Sequence, residues 1–148
     1  MNKTPVDIDQ EAILLFHDLA EQRDNYARTD EKAGFTVSSE FRHRFFSLLD
    51  ALNLRLIDDR DNFFGFFLFQ ADRDLRFQLD SPTGTTFKNG RYTLYFNPYL
   101  FLQLTAEQME SAVKHEVLHI LSLHPLRAKD LKKQFSPLAV DLATDIVV

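Results

Sequence analysis

Residues 114–119 read Lys-His-Glu-Val-Leu-His and contain the pattern HExxH at His115, Glu116 and His119. On an α-helix, positions four apart lie on nearly the same face, so both imidazoles can reach one ion. Glu116 sits on the flank, where a carboxylate can hold a water bound to that ion and take its proton. The ion lowers the pKa of that water towards ~7, which provides hydroxide at neutral pH. This is hydrolytic chemistry, and it needs the spacing to fall on a helix. With 5 His and 7 Glu in 148 residues, chance would place the pattern in roughly one such chain in a hundred.

The flanking residues predict that helix. Thr105 and Gln108 have the spacing of a capping box, and Pro125 stops the helix after His124. Val113, Val117, Ile120 and Leu121 give it a wide apolar face, so it is expected to be buried on that side.

A zinc site needs a third protein ligand and an open fourth position. Cys is absent, so the donors must be nitrogen and oxygen. Three residues compete for the third place: Asp145, His124 and Asp141. His124 can join only if the backbone turns sharply at Pro125. Asp141 and Asp145 lie four apart on a last helix, predicted to start at Ser136-Pro137 and to run to Val148. Leu138, Val140, Leu142, Ala143, Ile146 and Val147 make that helix apolar nearly all round, hence buried. A buried carboxylate needs a partner, and a metal or a metal-bound His is one. The metzincin pattern fails, because Ser122 and Pro125 stand where it wants Gly and His.

The stretch from Tyr95 to the end resembles a bacterial metallopeptidase family whose longer members continue into a von Willebrand factor A-like region. The matching run is YFNPYL, then HEVLH, then His124 and Arg127, then AVDLATDIVV. The resemblance picks out Asn97, Pro98, His115, Glu116, His119, His124, Arg127 and Asp145, and it favours Asp145 over Asp141. It implies a zincin-like fold, Zn2+ held by His115, His119 and Asp145, and Glu116 as the catalytic base. His124, Asp141 and Arg127 are then alternative ligands or groups behind the ligands.

These residues must be positioned by the rest of the chain. Residues 10–27 carry Ile13, Phe16, Leu19 and Ala20 at helical spacing, and residues 1–9 read as a leader. Ser38 or Ser39 caps a second helix with Phe41, Phe45, Leu48, Leu49 and Leu52 on one face. Residues 63–69, rich in Phe, read as a buried strand, and Leu75, Phe77 and Leu79 alternate as a second. Residues 80–84 read as a loop. Asn89-Gly90 is a hairpin turn signal before a third strand over residues 91–97. That order predicts an α+β fold over residues 1–148: one small mixed sheet packed on a long HExxH helix, with flanking helices. The strand over 91–97 is a candidate edge for an extended peptide substrate.

Composition narrows the function classes. The net charge of −5 argues against nucleic acid as a partner. The acidic N-terminal stretch is not a secretory signal, and no apolar run is long enough to span a membrane, so the expected compartment is the cytoplasm. Fifteen Phe and no Trp make Phe the filler of the core. His17 and His43 read as surface residues, Lys129, Lys132 and Lys133 as a solvated loop. Arg127 can stabilise an oxyanion or pair with an Asp.

Two functions fit. One is a zinc peptidase acting on a peptide or protein. The other is an inactive metal-binding module working with a partner. The chain stops three residues after Asp145, so the cleft is expected to be open, or to be completed by a partner protein or a second copy.

Overall fold

Asp7 accepts the backbone N–H of Gln10 and so starts the first helix. The computed structural model describes residues 6–29, 34–58 and 62–122. In order, these form α1 (Ile8–Ala27), α2 (Ser39–Asp58), α3 (Asn62–Leu68), β1 (Asp72–Leu75), β2 (Thr83–Lys88), β3 (Arg91–Phe96), α4 (Pro98–Phe101) and α5 (Ala106–Leu121). The class is α+β, with a three-stranded mixed sheet among the described residues.

α1 takes in the last residues of the stretch read as a leader. It buries Ile8, Ala12, Leu15 and Leu19. Ile13, expected on the buried stripe, is 52% exposed. Two stripes of this helix are apolar, and packing against α2 and α4 chooses between them. Ser38 caps α2 through Oγ, which accepts the N–H of Phe41.

Phe does fill the core. Phe41, Phe45 and Phe101 are fully buried and Phe96 nearly so. Phe45 lies edge-on to Phe96 at 6.0 Å and to Phe101 at 5.9 Å, an arrangement that suits the ring quadrupoles. α2, the sheet and α4 therefore meet in one aromatic cluster.

The Phe-rich segment is a helix, not a strand. In α3 the buried positions are Gly65 and Leu68, three apart, as a helix face requires. Phe63, Phe66 and Phe69 are each more than half exposed, so they do not belong to the core as expected. A short run that is apolar at almost every position carries no period of its own. Contact with α2 decides it: Gly65 sits against the Asn53 carbonyl oxygen and Ile57.

In the sheet the strand order is β1-β3-β2. β1 runs parallel to β3, pairing Leu75 with Phe96. β2 runs antiparallel to β3, pairing Thr83 with Phe96 and Lys88 with Arg91. The hairpin turn forms as expected, with Asn89 and Gly90 at φ 54° and 75°. Two expectations change. The second strand is Asp72–Leu75, while Phe77 lies in a turn. The loop over residues 80–84 ends two residues early, because Thr83 and Gly84 already pair in β2. No helix among the described residues is long and apolar enough to cross a membrane.

Candidate metal centre

α5 carries the HExxH residues, and its start is held three ways. Thr105 Oγ1 accepts the N–H of Gln108 at 3.3 Å, and Gln108 Oε1 accepts the N–H of Thr105 at 3.0 Å. This is the capping box expected from the sequence. In addition, Asp9 Oδ1 from α1 accepts the N–H of Ala106 at 2.8 Å. Downstream, Ala106, Met109, Val113, Val117 and Ile120 form the buried stripe of the helix. This apolar stripe fixes the rotation of α5 about its own axis.

With that rotation set, the polar residues fall into place. Glu116 lies beside the stripe and is buried, and His119 is buried next to it, about 60° further round. His115 follows on the same side and is half-buried. The two imidazoles meet edge to face, with Nε2 of His115 2.8 Å from Nε2 of His119. One ring must carry the proton and the other the lone pair for this contact to be attractive.

The pair suits a metal ion. Two nitrogens at about 2.05 Å from a tetrahedral zinc stand about 3.3 Å apart, so a small opening of the rings admits one ion between them. Binding would need both Nε2 lone pairs, so each ring would carry its proton on Nδ1. Among the described residues, no group of three His, Asp or Glu side chains forms a complete site. The candidate third ligands Asp145, His124 and Asp141, together with Arg127, lie outside the described residues.

Sequence reasoning missed one member of this site. Thr83 opens β2, is buried, and donates its hydroxyl to Oε1 of Glu116 at 2.9 Å. Nothing local marks it, since 33 residues separate the partners. Its backbone is fixed from several sides. Ser81 Oγ donates to the Thr83 carbonyl at 2.7 Å. The Asn97 N–H bonds the Pro82 carbonyl at 2.9 Å. Buried Asn97 also gives its side-chain amide to the carbonyls of Phe77 and Leu79 and accepts the N–H of Tyr99. Asn97 thus ties the end of β3, the turn before β2 and the start of α4 together, which gives the Asn-Pro pair a structural role.

The expected substrate edge is not where the sequence placed it. β3 lies in the middle of the sheet, with β1 and β2 on either side, so it has no open edge. The strand at the margin that packs on α5 is β2. A cavity of about 430 Å³ lies between α3, the β2–β3 turn and the last turn of α5, lined by Phe67, Tyr92, Ile120 and Leu121 among others. His115, Glu116 and His119 do not line it. His17 and His43 are exposed on α1 and α2.

No curated protein matches the chain, and no solved structure does. A family profile does match, over residues 53–148, which takes in α3, the whole sheet and the HExxH helix. The chain therefore belongs to the family described as a putative metallopeptidase domain.

Proposed function

We propose that this chain is a zinc-dependent peptidase domain of zincin-like arrangement, with His115, His119 and Asp145 as ligands and Glu116 as general base. The observation that carries the reading is the 2.8 Å convergence of the two Nε2 atoms beside a buried Glu116. The donor types agree with zinc held by nitrogen and oxygen.

Zinc, when bound, would polarise the scissile carbonyl and bring the pKa of a water towards ~7. Glu116 takes the proton of the attacking water as the C–O bond forms. It returns that proton to the amine nitrogen as the C–N bond breaks. Arg127 supports the charge that develops on the carbonyl oxygen. His124 and Asp141 are the alternatives to Asp145 as third ligand.

The substrate is an extended peptide lying along β2. The bond from the Asn97 N–H to the Pro82 carbonyl sets the phase of the β2–β3 ladder. In that phase Thr85 and Phe87 turn their own N–H and C=O away from β3, the groups a peptide strand would pair with. The cytoplasm is the proposed site of action, where a chain without Cys needs no oxidising environment.

Metal analysis of purified wild type, Glu116→Gln and His115→Ala tests the reading. Wild type should carry about one zinc per chain and cleave members of a peptide library. Glu116→Gln should keep the zinc and lose cleavage, and His115→Ala should lose both. Absence of stoichiometric metal after zinc addition overturns the reading. Stoichiometric zinc without cleavage replaces it with a non-catalytic metal-binding module.

A further inference from the structure

We infer that Thr83 is a positioning residue for Glu116, holding its carboxylate in one orientation beside the His115–His119 pair; the kinetic part rests on the peptidase reading above. A glutamate side chain has three rotatable bonds, and a general base must meet its proton within hydrogen-bond reach. The helix fixes the Cα of Glu116 but leaves the carboxylate several rotamers. The hydroxyl of Thr83, 2.9 Å from Oε1, selects among them.

Thr83 is well suited to the task. It is β-branched and stiff at χ1, so its hydroxyl direction follows its backbone. That backbone is paired with Phe96, which is itself 2% exposed. Ser81 bonds its carbonyl, and the Pro82–Asn97 bond fixes the residue before it. The sheet thus reaches an atom of the motif helix through the Thr83 side chain. Thr83 and Glu116 are 6% and 7% exposed, so water competes little for the bond. A hydroxyl donating to a carboxylate is also a charge-assisted bond, stronger than a neutral one.

The test uses the full chain with Thr83→Val, which keeps the shape and removes the donor, and Thr83→Ser, which keeps the donor. Both should load zinc as wild type does. Thr83→Val should lower kcat about 10- to 100-fold at unchanged KM, the scale of a displaced catalytic group. Thr83→Ser should stay within about threefold of wild type. Thr83→Ala gives the same pattern as Thr83→Val should the latter not fold. A second readout needs no activity: urea unfolding of the metal-free protein in a double-mutant cycle with Glu116→Met. Thr83→Val should lower the ratio of folded to unfolded chains about tenfold in the native background and less than about twofold in the Glu116→Met background.

Equal losses in both backgrounds overturn the inference, as does a Thr83→Ser variant as impaired as Thr83→Val. A Thr83→Val variant that raises KM at constant kcat also overturns it. A wild type that cleaves nothing overturns the peptidase reading and the kinetic half of the inference, and the cycle then decides alone whether Thr83 holds Glu116.

Discussion

Asp9 and Ala106 are joined although 97 positions separate them: Oδ1 of Asp9 accepts the backbone N–H of Ala106 at 2.8 Å. The first turn of α1 thereby caps the first turn of α5, the helix that carries His115, Glu116 and His119. A helix start leaves N–H groups without partners, and here Asp9 and Thr105 supply two of them from different parts of the chain. Asp9→Ala should therefore lower stability by about 1–2 kcal/mol. Thr105→Ala should lower it by about 1 kcal/mol. The two effects should not add, because both act on one turn. Urea unfolding of the two single variants and the double variant measures this.

Zinc should stabilise the fold through the His pair. At a free concentration one hundred times its dissociation constant, a ligand bound only by the folded state adds about 2.7 kcal/mol. Thermal melts of wild type should rise with zinc and fall back with a chelator. His115→Ala should show neither shift, and its metal-free melt should fall modestly because buried His119 loses its ring contact.

Gly65 should tolerate no side chain. A Cβ there would overlap Ile57 Cγ1 and lie 2.9 Å from the Asn53 carbonyl oxygen, which is backbone and cannot swing aside. Gly65→Ala should cost about 1–3 kcal/mol by forcing α3 away from α2, despite the better helix propensity of Ala. Gly34→Ala is the control, since a Cβ there meets nothing within 4 Å. Chemical denaturation of both variants measures the cost of the overlap.

Asp74 sets a small acid dependence. Burial acts to raise its pKa, but the Arg42 hydrogen bond, the Leu75 N–H and the charges of Arg42 and Arg76 outweigh it. The carboxyl is held below its ordinary value of 3.8. A lowered carboxylate pKa contributes stability above the unfolded value, and that contribution is lost as pH falls through the folded value. The Arg42–Asp74 pair is half exposed, so the contribution is about 0.5 kcal/mol or less. Asp74→Asn should be slightly less stable than wild type at pH ~6, and the two should converge near pH ~2. Urea midpoints at the two pH values check the sign.

The sequence by itself determined what depends on neighbours a few positions apart. The HExxH spacing on one helix, the Thr105–Gln108 capping box, the Asn89-Gly90 turn and the Ser38 cap all obey local periods or local hydrogen bonds, and all are present. Tertiary structure decided what depends on distant partners. The segment around Phe66 is helical because Gly65 fits against α2, a fact its uniform apolar pattern does not carry. β3 sits in the middle of the sheet because β1 and β2 pair on either side of it, and alternation within one strand says nothing about how many edges are covered. α1 buries Leu15 rather than Ile13 because α2 and α4 choose the stripe. Thr83 became part of the site for the same reason. A hydroxyl 33 residues from Glu116 has no spacing to betray it, and only the packing of β2 on α5 brings it to 2.9 Å.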